Sequence, residues 1–182
     1  PLSKTSNPST LLSRQGCGMT QRYDRRSFLK TAAAMGAVLA WPSAEARPSK
    51  HKWIERRDLY PHGVASGDPA ADSVILWTRH EAKGALTAEI AEDEAFTRVV
   101  STASVVPMAQ NDWTVRVLAA GLKPATTYWY RFSDAKGYGS RIGRTRTAPA
   151  ADDTRPVSFA FVSCQDLNLG STNAYRKMIF ED

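Results

Sequence analysis

The chain has 182 residues and a formal net charge of +6, and the first 46 residues alone carry +4 of that charge. The other 136 residues carry only +2 and show no basic stripe with interleaved aromatic residues, so we expect no nucleic-acid partner. Their number suffices for one compact domain and the beginning of a second.

The first 18 residues show no periodic apolar spacing, and Met19 stands where a signal peptide with a short basic segment would begin. We therefore expect that residues 1–18 are not part of the natural product. Cys17 would then be absent, and Cys164 would be a lone thiol. A lone cysteine in an exported protein is free, intermolecular or bound to a metal.

Paired arginines precede an uncharged stretch near the N-terminus, in the run Asp24-Arg25-Arg26-Ser27-Phe28-Leu29-Lys30. This pattern is typical of a twin-arginine export signal. The apolar part is too short to span a bilayer, and Ala44-Glu45-Ala46 is a signal-peptidase pattern. Residues 1–46 are thus predicted to be an extension and signal peptide. The twin-arginine translocon would deliver the protein to the periplasm or outside the cell without stable membrane insertion. A basic amphipathic helix that stays attached is the alternative.

Residues 47–59 are basic and proline-containing, and they are predicted to be a linker or an arm laid over the following domain. Alternating and apolar runs separated by turn signals then predict six or seven short strands, which favours a β-sandwich over residues 60–150. The runs are residues 64–65, 73–78, 85–91, 96–106, 113–118, 127–132 and 141–147.

Four features of this region have specific interpretations. Leu122-Lys123-Pro124-Ala125-Thr126-Thr127-Tyr128 is similar to the tyrosine corner of fibronectin type III domains, and Trp77 would be the core aromatic between the sheets. His62 and His80 lack metal-ligand spacing and are interpreted as turn and surface residues. The arginines at 141, 144 and 146 could bind phosphate, but alternation more simply indicates the polar face of a strand.

After a linker over residues 147–156, the apolar run at residues 157–163 predicts a strand covered on both faces, followed by a helix. Cys164 and Asp166 directly follow that strand. Ligands collect at the carboxyl ends of strands in open α/β sheets, so a thiolate here is a candidate metal ligand. A buried apolar cysteine is the alternative. For Asp166 a loop or helix-capping role is preferred over a calcium-binding one.

Four sequence blocks follow one another along the chain: His62-Gly-Val-Ala-Ser-Gly-Asp-Pro69, Asp72-Ser-Val-Ile-Leu-Trp-Thr-Arg79, Gly121-Leu-Lys-Pro-Ala-Thr-Thr-Tyr-Trp-Tyr-Arg-Phe132, and Val162-Ser-Cys-Gln165 with Asn173-Ala-Tyr-Arg176. Together they resemble the alkaline phosphatase D (PhoD-like) family. The resemblance runs from about residue 60 to the end of the chain. Ser171 departs from the common family pattern, which often has an aromatic residue after the glycine.

The resemblance implies a mainly β fold, in which a fibronectin type III-like β-sandwich is followed by the first βα unit of an α/β metallophosphoesterase core at residues 151–182. It implies that Cys164 binds Fe³⁺, with Ca²⁺ as a further cofactor, and it assigns no catalytic residue in this chain. The expected function is that of the N-terminal part of an exported phosphoric ester hydrolase, an alkaline phosphatase or phosphodiesterase that acts on phosphate esters. We expect this part to be monomeric and inactive by itself. A stand-alone periplasmic binding module is the alternative.

Overall fold

A computed structural model describes residues 46–81, 84–163 and 172–181, together with the backbone of residues 38–39. Strands account for most of the regular structure in these ranges. They are β1 (Val38–Leu39), β2 (Ile54–Glu55), β3 (Val64–Gly67), β4 (Ser73–Arg79), β5 (Leu86–Ala91), β6 (Val99–Val105), β7 (Thr114–Ala120), β8 (Thr127–Ser133), β9 (Tyr138–Gly139) and β10 (Gly143–Arg146). A 3-10 turn spans Ala109–Asn111, and helix α1 spans Asn173–Phe180.

The strands form two sheets that pack face to face. Sheet I has the order β1-β7-β4-β3, and sheet II has the order β2-β9-β8-β5-β6, with β10 also paired to β8. Neighbouring strands are antiparallel except in the pairs β1-β7 and β2-β9. The prediction of a mainly β protein with a fibronectin-like sandwich is confirmed.

The core lies between the two sheets and consists of side chains at alternate positions of each strand. Tyr128, Tyr130 and Phe132 of β8 are at most 2% exposed. They meet aliphatic residues from the facing sheet and from the neighbouring strand, which include Val74, Leu76, Leu86, Ile90, Val115 and Val117. This alternation is what a strand with one face on the core requires.

Trp77 is not the core aromatic that we predicted. In β4 the buried positions are Val74, Leu76 and Thr78, so Trp77 points to the opposite face and is only half-buried. Because successive strand residues face opposite sides, only one of Leu76 and Trp77 can enter the core. The aromatic part of the core comes instead from β8.

Strand β6 begins later than predicted, at Val99 rather than at residue 96. The Asp93 carboxylate accepts hydrogen bonds from the Thr97 backbone N–H at 2.9 Å and from the Thr97 hydroxyl at 3.1 Å. These bonds lower the pKa of Asp93 and hold a turn. The Phe96 side chain is buried within that turn, so its apolar character does not indicate a strand.

The predicted strand at residues 157–163 is not formed. Val157, Phe159 and Phe161 are 63%, 84% and 83% exposed, and no described strand pairs with this segment. A strand that is buried on both faces needs neighbours that satisfy its backbone groups and cover its side chains, and no described residues supply them. Helix α1 does follow, but the βα unit as a whole is not confirmed.

No described helix is long and apolar enough to cross a bilayer.

Candidate functional site

The predicted metal ligand, Cys164, lies outside the described residues, and so does Asp166. Their roles therefore remain predictions. Elsewhere in the described ranges, no three or more His, Cys, Asp or Glu side chains come together in a way that could hold a metal ion. The described part of the chain instead contains three polar arrangements that the fold itself positions.

The first arrangement is the predicted tyrosine corner, which the structure contains. The Tyr128 side chain is 1% exposed, and its hydroxyl oxygen accepts a hydrogen bond from the Lys123 backbone N–H at 2.9 Å. The Thr147 hydroxyl also joins the two ends of this turn, because it donates to the Lys123 carbonyl at 2.6 Å and accepts from the Thr126 N–H at 3.0 Å. The turn before β8 is thereby fixed against the segment that directly follows β10.

The second arrangement is a buried ion pair on the outer face of sheet II. Glu89 of β5 and Arg131 of β8 are direct cross-strand partners, and their side chains are 2% and 9% exposed. Arg131 donates to Glu89 Oε2 through Nε at 2.9 Å and through Nη2 at 2.8 Å. The Ser49 hydroxyl donates to Glu89 Oε1 at 2.6 Å and accepts from Arg131 Nη2 at 2.9 Å. The two buried charges therefore compensate each other, and the Ser49 hydroxyl hydrogen-bonds both of them.

The ion pair is buried because the N-terminal arm, residues 47–55, covers it. The Arg131 guanidinium carbon lies 3.9 Å from the centroid of the Phe96 ring and 5.3 Å from that of Trp53. The Trp53 indole N–H donates to the Ser140 carbonyl at 3.2 Å, and the Ser49 N–H donates to the Phe96 carbonyl at 3.0 Å. A Cβ at Gly139 would lie 2.1 Å from the Trp53 ring, so this close packing requires glycine.

Sequence reasoning missed this pair, although one signal was present. Glu89 and Arg131 are single opposite charges inside two otherwise uncharged strands. Such charges must be paired if they are buried, but the sequence does not give the strand register that brings them opposite each other.

The third arrangement is a basic cleft, which we define by Arg57, His62, Arg141 and Arg144. It lies at the open side of the sandwich between the edge strands β3 and β10 and has a volume of about 500 Å³. The cleft unites two arginines of the cluster noted in the sequence with residues far away in the chain. Arg146 does not line it; Arg144 and Arg146 both occupy exposed positions of β10.

Backbone packing fixes the floor of the basic cleft. Gly143 pairs with Tyr130, and a Cβ at Gly143 would lie 2.4 Å from Cζ of the Tyr130 ring. Burial raises the pKa of Tyr130 to about 12, so its hydroxyl is protonated at neutral pH. The floor of the basic cleft is thus the uncharged ring of Tyr130, which packs closely against Gly143 of β10.

His80 is not the surface residue that we predicted, since it is 2% exposed. Its ring stacks on Tyr60 with centroids 4.4 Å apart, and Nδ1 lies 2.9 Å from the Leu59 carbonyl oxygen. A carbonyl only accepts, so Nδ1 carries the proton. Nε2 is buried and has no partner among the described residues. His80 therefore packs as a buried ring beneath the loop that forms one wall of the basic cleft.

Comparisons with known proteins give a consistent result. Residues 44–149 match the family described as PhoD-like phosphatase, N-terminal domain. Alkaline phosphatase D of Bacillus subtilis (strain 168) is 38% identical over 175 residues, which cover 87% of this chain and 30% of that protein. A solved structure of PhoD is 33% identical, with a TM-score of 0.62, and the match covers 76% of this chain and 26% of that chain.

A more distant solved structure is the fn3 domain of human collagen alpha-1(XX) chain, at 14% identity and a TM-score of 0.37; the match covers 65% of this chain and 100% of that one. The chain spans less than a third of the length of the bacterial relative and of the PhoD structure.

Proposed function

The chain belongs to the PhoD-like phosphatase family through its N-terminal domain, and from this premise we propose that it is the N-terminal part of an exported, metal-dependent phosphoesterase that hydrolyses phosphate esters. The observation that carries the proposal is the family match across the sandwich, together with the sequence identity to an alkaline phosphatase. In this proposal the sandwich is a structural domain that precedes the catalytic core.

We propose that Cys164 is a ligand of a ferric ion in this enzyme, with calcium ions nearby. A cysteine that coordinates a cation is deprotonated, and its thiolate donates charge to a trivalent metal. The described residues do not fit such a site by themselves, because they contain no cluster of ligands. The proposal therefore assigns the metal role to Cys164 alone within this chain and predicts that the 182-residue chain does not hydrolyse p-nitrophenyl phosphate above background.

The test is to replace Cys164 in the full-length enzyme and to measure both bound iron and hydrolysis. We expect the Cys164→Ala variant to lose iron, measured by elemental analysis of the purified protein, and to lose activity with it. Ser158→Ala, a change of similar size in the run that leads to Cys164, is the matched control, and it should keep both. Iron retained at full occupancy in Cys164→Ala would remove the proposed role. Turnover by the 182-residue chain alone would contradict the proposal that the sandwich is not catalytic.

Export by the twin-arginine route is part of the same proposal and rests on the sequence pattern at Arg25 and Arg26. Replacement of both residues by Lys should leave the precursor in the cytoplasm, as measured by fractionation and immunoblotting. Arg22→Lys, a basic residue outside the pair, is the control and should be exported. Unchanged periplasmic delivery of the double variant would overturn the assignment.

A further inference from the structure

Among the described residues, the charged side chains that line the basic cleft are all basic. Three arginines and one histidine line it, and none of its lining residues in the described part of the chain is an Asp or a Glu. Arg57 is held by its Nε bond to Glu55, a residue that does not line the cleft. Arg141 is exposed and has no carboxylate partner among the described residues. A concave surface with charge of one sign focuses the electrostatic field and attracts anions.

The donors in the basic cleft suit a tetrahedral oxyanion. A guanidinium presents several N–H groups in a planar fork, which matches the spacing of phosphate oxygens. His62 also lines the basic cleft, and its Nε2 lies 3.5 Å from Nη1 of Arg79.

The walls of the basic cleft are held in place before any ligand arrives. The Gly63 N–H donates to the Tyr60 carbonyl at 2.9 Å, and the Thr78 hydroxyl donates to the Gly63 carbonyl at 2.8 Å. Gly63 has φ +64, a conformation that favours glycine. A rigid site loses little conformational entropy when it binds a ligand.

The basic cleft is mainly polar, but its size leaves room for more than an inorganic ion. Its volume of about 500 Å³ falls within the range of small-molecule sites. Pro61, Val64 and Ile142 supply apolar surface beside the arginines. A ligand with a phosphate group and a small organic substituent would use both kinds of surface.

We propose that the basic cleft binds a phosphate group that carries an organic substituent, with Arg141 and Arg57 on the anion and the substituent against Ile142 and Pro61. The phosphate belongs either to a free ester or to a lipid headgroup. The inference does not depend on the proposed enzymatic function, because it concerns binding by the sandwich without any bond being broken.

The test is a titration of the 182-residue chain with phenyl phosphate. Binding is measured by isothermal calorimetry and by the chemical-shift changes of the backbone amides. We expect saturable binding with shifts at residues 60–64 and 141–144, weakening as salt is added. Phenol, which lacks the anion, should not bind. Arg141→Gln removes a charge-assisted contact and should weaken binding about tenfold. Arg116→Gln removes an exposed arginine of β7 and should leave the affinity unchanged.

Further arms of the experiment identify the source of the phosphate. Saturable binding of phenyl phosphate supports a free ester. Binding to phosphatidylglycerol vesicles but not to phosphatidylcholine vesicles, lost in Arg141→Gln, supports a lipid headgroup. Equal weakening by Arg116→Gln and Arg141→Gln would show nonspecific charge attraction and overturn the proposal. Shifts confined to residues outside the basic cleft would overturn it as well.

Discussion

Replacement of Glu89 by Gln is expected to lower the free energy of unfolding by about 3–5 kcal/mol, because it leaves the buried Arg131 guanidinium without a countercharge. The glutamine has nearly the same shape, so packing is retained and the electrostatic loss is isolated. Urea denaturation followed by tryptophan fluorescence measures the change, since Trp53 lies over Arg131.

Glu81→Gln is the matched control for this substitution. Glu81 forms an ion pair with Arg79, but its side chain is 64% exposed, so its loss should cost no more than about 1 kcal/mol. The double variant Glu89→Leu with Arg131→Met should recover much of the stability lost in Glu89→Gln, because no unpaired charge remains. A Glu89→Gln variant as stable as Glu81→Gln would mean that water reaches the pair and that the arm does not seal it.

Replacement of Tyr128 by Phe is the second large effect that we expect. The substitution removes the acceptor for the Lys123 N–H and leaves the aromatic ring in the core, so the unfolding free energy should fall by about 1–3 kcal/mol. The same urea experiment measures it. Tyr175→Phe on the exposed face of α1 is the control and should change stability by less than about 0.5 kcal/mol. Unchanged stability of Tyr128→Phe would show that the corner bond has no energetic role.

The strands of the sandwich could be predicted because their side-chain alternation is local information. β4, β5 and β8 begin and end within about one residue of the predicted runs, and the tyrosine corner was visible from Tyr128 and the preceding turn. The face of Trp77 could not be predicted, because an apolar strand with large side chains on both faces fits either orientation. The start of β6 was missed because Asp93 caps a turn that contains a buried aromatic residue.

The polar arrangements depend on contacts between residues that are far apart in sequence. Ser49 hydrogen-bonds Glu89, which lies 40 residues later in the sequence, and Arg131, which lies 82 residues later. No local sequence pattern predicts contacts at such separations. The basic cleft likewise joins Arg57 and His62 to Arg141 and Arg144. The composition of residues 47–59 did not decide whether they form a linker or an arm that covers the domain. The hydrogen bonds of Trp53 and Ser49 to distant residues show that they form an arm held against sheet II.

The opposed charges of Glu89 and Arg131 also define how β5 and β8 are aligned. A slip of one residue between these strands would turn every side chain of the shifted strand to the other face. Glu89 would then be driven among the aliphatic side chains between the sheets, far from any countercharge, while Ile90 would be turned outward. The burial of an unpaired carboxylate therefore raises the free energy of the misaligned sheet. Strands that have paired in the wrong register are expected to separate and to pair again.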